Sequence, residues 1–531
     1  MPSCRRPSNR QSHTVTLRSM IARTIASACA GFFLAISFPR PGISFLAWVA
    51  FVPIITIAAR SDPIRSLFYG FIFGGTFFIT LVYWIYSVLA IHTSMGTFLS
   101  IVVLFLLISY LSLFPSIFAY LLSQTIRLYG GRAIFVSPFI WVALELLRNY
   151  ALSGFPWGIA GYTQSSVTPL IQIASVTGVY GLSFLIVLIN ASVAYLLIEY
   201  VSLRKLIPLA ASVLFALALM LWGFWRMSAP LQGETAIDVS CIQGNYSGNM
   251  SEGSDENLIL TDYIHMTAEA AAEGSTLVIW PETITSFEVC CTKDYAELLG
   301  DLCRKLKIGL ILGSAHEVRE KAGTKYFNSA FHIRADGKIG DRYDKMHLVP
   351  YGEYVPLPGL LFFVRRFVEA SSDFSKGNRY AIMDHGKGDF AVLICYEVIF
   401  PESVRQFAKR GATFFVNITN DAWFGRSSAP YQHFDFVKLR AVESGRYFVR
   451  CAGTGISGIV SPYGDVLKST GIFSKEIVTG SIEPLEHRTL YSRTGDLFAF
   501  ACVIMTVILI SPLVSKRSKL STSSGEGKSE D

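Results

Sequence analysis

Charge is what this sequence has least of. Only 16% of its 531 residues are Asp, Glu, Lys or Arg, against an ordinary share of about 25%. The deficit lies before residue 228, where long apolar runs dominate, while residues 228–495 have the composition of a water-soluble domain. Zinc-type spacing is missing as well. None of the nine cysteines forms a CxxC pair or a Cys/His ligand pattern, so no metal and no cofactor is expected. Adjacent Cys290 and Cys291 leave room for a disulfide, but ordinary buried thiols are the commoner state of this residue type. No internal repeat is visible. The net charge of +7 forms no continuous basic patch. It is split between Arg5, Arg6, Arg10, Arg18 and Arg23, short loops, and Lys516, Arg517 and Lys519. That distribution argues against a nucleic-acid partner and for a lipid bilayer. The first apolar run, 21–38, lacks a small-x-small cleavage site and reads as a retained helix, not a removed signal.

What is present in quantity is apolar length. A membrane-crossing helix needs roughly 20 mainly apolar residues. Runs at 20–38, 43–59, 67–91, 98–123, 133–150, 180–201, 206–225 and 497–515 qualify, which predicts eight spans. Cytoplasmic loops are enriched in Lys and Arg. With the basic N-terminus inside, the inner loops hold Arg60 and Arg65, Arg127 and Arg132, and Arg204 and Lys205. The outer loops 92–97 and 152–179 hold none, and Arg40 is the single exception. The domains expected are a cytoplasmic arm (1–19), seven spans (20–227), a periplasmic domain (228–495), an eighth span (496–515) and a disordered cytoplasmic tail (516–531). Localisation follows as a membrane, with residues 228–495 outside the cytoplasm.

Within 228–495, apolar runs at 235–243, 276–280, 308–314, 329–334, 390–395 and 413–419 read as buried strands. Residues 255–273, 293–307, 401–410 and 430–446 have helical spacing. Strands interleaved with helices predict an α/β layered domain.

Three segments of this domain carry chemistry-bearing residues. The strand 277–280 stops at Pro281 and leaves Glu282 at its exit, beside Trp280. A carboxylate among apolar neighbours has its pKa raised toward that of a general base; by itself, Glu282 reads as a solvated loop residue, as most glutamates are. In 343–356, Lys345 offers a fixed positive charge for an oxyanion. Glu353 is placed to orient that lysine or line the pocket, and Tyr351 lies in the same Pro/Gly-rich loop. His347 by itself reads as structural. The third segment, 390–397, brings Cys395 straight off an apolar strand, followed by Tyr396 and Glu397. A cysteine at such an elbow faces a cleft, with the Tyr396 N–H ready for an oxyanion, but its thiol needs a neighbouring base or cation. Without the other two segments, Cys395 reads as a buried structural thiol.

Taken together, the three segments resemble the nitrilase superfamily. The likeness extends through 417–425, 430–433 and 440–446. It implies a four-layer α-β-β-α sandwich carrying a Glu-Lys-Cys triad. Carried over by position, Glu282 is the general base, Lys345 stabilises the tetrahedral intermediate and Cys395 forms a thioester. The membrane half, with Trp141, Glu145 and Arg148 in 138–148, then Gly154-Phe155-Pro156-Trp157 and Gly161-Tyr162-Thr163-Gln164, is similar to the apolipoprotein N-acyltransferase family. Two departures stand out. The tryptophan usual a few residues after Gln243-Gly244-Asn245 is absent, and Cys451-Ala452 precedes Gly453 where asparagine is common.

The resemblance implies a phospholipid acyl donor and, as acceptor, the α-amino group of an apolipoprotein's S-diacylglyceryl cysteine, in a ping-pong reaction that completes lipoprotein maturation. The segment 357–367, aromatic and aliphatic with Arg365 and Arg366, reads either as a mobile interfacial arm or as an amphipathic helix packed on its own domain. Two other functions are compatible with part of the pattern: a membrane-tethered amidase with the same triad, and a non-enzymatic transporter or scaffold.

Overall fold

The computed structural model describes the chain apart from residues 1–8, 93–94, 199–202, 232, 234, 247–255, 285–291, 322, 351, 355–373 and 524–531; at 9–16, 92 and 513–523 it describes the backbone only. Tyr351, Cys290, Cys291 and the arm 357–367 therefore lie outside the described residues.

Among the described residues, six helices are long and apolar enough to cross a membrane: Leu17–Ile36, Pro63–Leu81, Gly96–Tyr129, Gly131–Tyr150, Val179–Ile198 and Leu203–Met227. Two shorter apolar stretches, Ser44–Arg60 and Leu497–Pro512, accompany them. Their outward residues, such as Phe98, Phe105 and Leu221, are exposed apolar groups of the kind lipid tails cover. Inward, Trp141 sits edge-on to Phe51 and Phe118, with ring centroids 4.6 and 5.2 Å apart. Two departures from the expected spans stand out. The run 67–91 is not one helix: it ends at Leu81, Val82 leaves helical geometry, and a separate helix, Trp84–His92, begins. The last helix continues to Ser523, beyond the end expected at 515.

The second half is the expected α/β domain. Twelve strands form two six-stranded sheets among the described residues. In chain order they are β1 Ile237–Gln243, β2 Leu277–Ile279, β3 Gly309–Glu320, β4 Gly323–Ile333, β5 Ile339–Asp344, β6 Met383–Asp384, β7 Asp389–Ile394, β8 Phe414–Thr419, β9 Phe448–Ala452, β10 Gly458–Val460, β11 Val466–Ser469 and β12 Glu476–Ile482. The first sheet runs β12-β1-β2-β3-β4-β5 and the second β11-β10-β9-β8-β7-β6. Each has a parallel centre, β1-β2-β3 and β7-β8-β9, edged by antiparallel strands.

Alternation along β2 explains why its sequence is apolar throughout. Leu277 and Ile279 point into the core between the sheets, and Val278 into the core beneath the helices Glu256–Ala272 and Lys293–Leu306. A strand buried on both faces has no polar side to show. Helices Pro401–Lys409 and Ala429–Ser444 belong to the second sheet, so the layers are α-β-β-α.

The two halves are bolted together by buried polar groups. Gln432 Oε1 accepts the indole N–H of both Trp84 (3.3 Å) and Trp157 (2.8 Å), and its amide donates to the Leu81 carbonyl (3.3 Å). Arg440 donates to the Tyr162 hydroxyl at 2.8 Å, and the Val179 N–H donates to Glu443 at 3.0 Å. Arg40, the exception to the charge pattern of the loops, stacks over the Tyr431 ring at 3.9 Å.

Candidate active site

The site lies at the carboxyl ends of β2 and β7, one from each sheet. Glu282 follows β2. The turn is tight: Thr283 takes φ +45°, and a Cβ added at Gly313 of β3 would fall 2.8 Å from the Glu282 Cα. Cys395 follows β7 and takes φ +52°, a left-handed conformation that costs a non-glycine residue about 1–2 kcal/mol. The turn then enters a short 3-10 helix, Cys395–Ile399. The Tyr396 N–H lies in its first turn, where no intrahelical carbonyl can reach it.

Lys345 follows β5 and is 1% exposed. Its ammonium donates to Glu353 Oε1 at 2.8 Å and to Glu282 Oε1 at 3.3 Å. Burial opposes its charge, but the two carboxylates overcome it and hold the lysine well above its ordinary range. Both carboxylates are further tied. Asn328 on β4 donates its amide to Glu282 (2.8 Å) and to Glu353 (2.7 Å), the Asn420 N–H donates to Glu282 Oε2 (3.0 Å), and the Val349 N–H donates to Glu353 Oε2 (2.8 Å). Burial pushes the half-buried Cys395 thiol upward, Glu282 adds to the rise, and Lys345 opposes it. Glu282, Lys345, Glu353 and Cys395 thus share one cluster.

Glu397 plays a different part. Its Oε1 accepts from the Tyr343 hydroxyl (2.7 Å) and the N–H groups of Met346 (2.8 Å) and His347 (3.0 Å). Its Oε2 accepts from the Ile394 N–H at 2.9 Å. The side chain straps the backbone after Lys345 to the backbone before Cys395, which fixes the distance between the two. Tyr396 packs its ring on Phe400, and His347 stacks on the same Phe400 at 3.6 Å while its Nε2 meets the Ser153 carbonyl at 3.2 Å. That histidine links the site to the loop before Gly154-Phe155-Pro156-Trp157. Burial pushes it down to about 4, so it is neutral at ordinary pH.

Beneath the cysteine lies a network that reasoning on the sequence missed. Asn417 donates to the Leu393 carbonyl at 3.0 Å, and Arg450 donates to Asn417 and, at 2.8 Å, to Asp421. Thr419 and His433 close on the other oxygen of Asp421, each at 3.0 Å. Burial alone raises Asp421, but Arg450 and His433 hold it well below the carboxylate range. Asn417, Thr419, Asp421 and His433 lie in the segments 417–425 and 430–433 that carry the resemblance, but the sequence assigns them no role, and Arg450 shows only as an arginine in the middle of an apolar strand, Phe448–Ala452. Within the membrane half, Trp141 and the Ala160 N–H donate to Glu145 at 2.8 and 2.7 Å, while Arg148 donates to the Phe155 carbonyl at 3.3 Å.

A sandwich of this kind, with a cysteine, a lysine and two carboxylates gathered at strand ends and a bundle of apolar helices beneath, defines a membrane-bound enzyme with a carbon-nitrogen hydrolase domain. Residues 239–489 match the carbon-nitrogen hydrolase family, and residues 30–192 match the apolipoprotein N-acyltransferase N-terminal domain. An apolipoprotein N-acyltransferase of Geobacter metallireducens is 39% identical over 502 residues, which covers 93% of this chain and 96% of the relative. One from Brucella suis is 29% identical over 519 residues, covering 94% and 96%. A Saccharomyces cerevisiae member of branch 10 of the nitrilase superfamily covers 48% of this chain and 93% of its own, at 23% identity and TM-score 0.38. The chain belongs to the apolipoprotein N-acyltransferase family and is an acyltransferase that acts in lipoprotein N-acylation.

Proposed function

We propose that the chain moves a fatty acyl group from a membrane phospholipid onto Cys395, and from there to the α-amino group of an apolipoprotein's diacylglyceryl cysteine. The reading places it in the bacterial inner membrane with residues 228–495 on the periplasmic side. The observation that carries it is the shared cluster of Glu282, Lys345 and Cys395, with Lys345 Nζ 3.3 Å from Glu282 Oε1.

In the first step the Cys395 proton passes to Glu282 as sulfur attacks the ester carbonyl. A C–S bond forms, the ester C–O bond breaks, and Glu282 returns the proton to the departing lysophospholipid alkoxide. Lysine has three N–H donors. Two are held by Glu282 and Glu353, so the third is left for the oxyanion, alongside the Tyr396 N–H. In the second step the neutral amine attacks the thioester. A C–N bond forms, the C–S bond breaks, and the amine proton returns to sulfur through Glu282. Glu353, Glu397 and Asn328 act as positioning residues. Tyr351 belongs to the same loop as Glu353 and is proposed to support it.

The test is mass spectrometry of the Cys395 peptide after incubation with a phospholipid of known acyl chains. The expected mass increase equals one acyl group, and it disappears on addition of a diacylglyceryl peptide with a free amino terminus. Cys395→Ala gains nothing. An unacylated Cys395 together with turnover of a small amide would favour a membrane-tethered amidase instead.

A further inference from the structure

Three arginines packed against the buried helices of the catalytic domain are ion-paired. Arg405, Arg440 and Arg450 each sit against a carboxylate: Glu402 at 2.7 Å, Glu443 at 2.9 Å and Asp421 at 2.8 Å. Around the segment 486–493 the pattern reverses. A cavity of about 530 Å³ opens there, lined by Glu486, His487, Arg488 and Arg493. Burial disfavours protonation of His487, and Arg446, Arg493 and Arg226 stand close enough to add to it. Among the described residues, none of Arg226, Arg446, Arg488 and Arg493 has a carboxylate within ion-pair distance. Arg446 spends its N–H groups on the carbonyls of Ala412 (3.1 Å), Glu486 (2.9 Å) and His487, and Arg226 donates to neutral Gln172. Glu486 supplies the one negative charge on the lining. Four cations gathered round one anion repel each other; burial, with Arg488 adding to it, pushes Arg446 down to about 10.

The position of this cluster says what would relieve it. Arg226 stands at the end of the helix Leu203–Met227, next to Trp225, which is 71% exposed. Arg493 stands four residues before the apolar helix that begins at Leu497. Exposed tryptophan and the ends of two apolar helices mark the level of lipid headgroups. Exposed Leu490 and Leu497 border the same place. The cavity is also apart from the acyl-transfer centre. Cys395 lies level with Thr419, at one end of β8, whereas the Arg446 and Leu485 contacts to Ala412 and Thr413 mark the other end. At roughly 3.3 Å per residue the separation is about 20 Å.

We propose that this cavity binds the phosphate of an anionic membrane phospholipid, at a site distinct from the acyl donor's, and so pins this end of the catalytic domain to the bilayer surface. Guanidinium groups hold phosphate oxygens in pairs, and the acyl chains would run down along Leu490, Leu497 and Trp225.

The test is native mass spectrometry of the full chain in detergent, with phosphatidylglycerol, phosphatidylcholine or inorganic phosphate added. The chain is expected to retain one phosphatidylglycerol, less as salt rises. The double variant Arg488→Gln/Arg493→Gln should bind it roughly tenfold more weakly. Glu486→Gln should bind it several-fold more tightly, a gain that a folding defect cannot produce. Both variants should form the Cys395 acyl-enzyme from a zwitterionic donor at the normal rate. Unchanged phosphatidylglycerol binding in both variants would overturn the site. Inorganic phosphate bound as well as the lipid would make it a free-anion site. Loss of acyl-enzyme in the double variant would make it part of the donor path.

Discussion

At the scale of single residues, the charge balance around Cys395 decides how the nucleophile works. One ammonium, Lys345, faces two carboxylates, Glu282 and Glu353, so the cluster is net negative before the thiol ionises. Burial and that charge both keep Cys395 a thiol at neutral pH. The proton then leaves only as sulfur attacks, and Glu282 serves as acceptor rather than as partner of a standing thiolate. The two alternatives give opposite results in Glu282→Gln. Removing one negative charge raises the thiolate fraction, by about tenfold for each pKa unit, and a less basic thiolate gives back part of that in nucleophilicity. Alkylation of Cys395 by iodoacetamide at pH 7, followed on its own peptide, is therefore expected to accelerate roughly three- to tenfold. Acyl transfer in the same variant falls by about 10²–10⁴, the range typical of a lost general base. Slower alkylation would mean that Glu282 already holds the proton at rest. Glu282 and Cys395 stand out in the sequence because each follows an apolar run, whereas Lys345 follows the polar strand β5 and is singled out only by the resemblance. Asn328 does not stand out. It is one polar residue inside β4, and its meaning appears only when the fold sets it between two carboxylates from other segments.

At the scale of elements, legibility followed burial. The expected strands 276–280, 390–395 and 413–419 correspond to β2, β7 and β8, which are covered on both faces. The helices expected at 255–273 and 401–410 are Glu256–Ala272 and Pro401–Lys409. The strands that escaped notice are edge strands, carry a buried charge or, like β10, are only three residues long. All four residues of β11 are exposed, and β9 holds Arg450. Neither gives a continuous apolar run or a clean alternation, which are the signals a sequence offers for a strand. The break after Leu81 was hidden for a similar reason. Apolar residues continue through it, and only the fold shows that Trp84 turns aside to meet Gln432. That contact makes a prediction about the joint between the two halves. Gln432→Ala leaves the indole N–H groups of Trp84 and Trp157 buried without an acceptor. Each such group costs about 1–3 kcal/mol, so the thermal midpoint of the full chain should fall by several degrees. Gln432→Glu keeps the acceptor oxygens and should recover most of the loss for the indoles. An unchanged midpoint in Gln432→Ala, read by light scattering during heating, would show that the joint does not depend on this bolt.

At the scale of the whole molecule, the charge of the loops and the contacts of the domain point to the same arrangement. Arg60, Arg65, Arg127, Arg132, Arg204 and Lys205 lie at helix ends or in the turns between helices. Arg40, the one basic residue of the short loops on the other side, is held over Tyr431 of the catalytic domain. Its charge is therefore engaged by a partner on that face and does not weigh against the orientation. The same side must hold Trp84, Trp157 and Tyr162, since all three reach the catalytic domain. If the basic loops face the cytoplasm, the acyl-transfer site opens on the outer surface, where an exported lipoprotein's amino terminus is available. Single cysteines introduced on a background in which all nine native cysteines are replaced by alanine or serine test this directly. Positions 62 and 131, beside the basic residues, should resist a membrane-impermeant maleimide in spheroplasts and react after permeabilisation. Position 468, on exposed β11, should react before permeabilisation. Labelling in the reverse order would place the domain in the cytoplasm, out of reach of an exported substrate, and the acyl-transfer proposal could not stand in its present form.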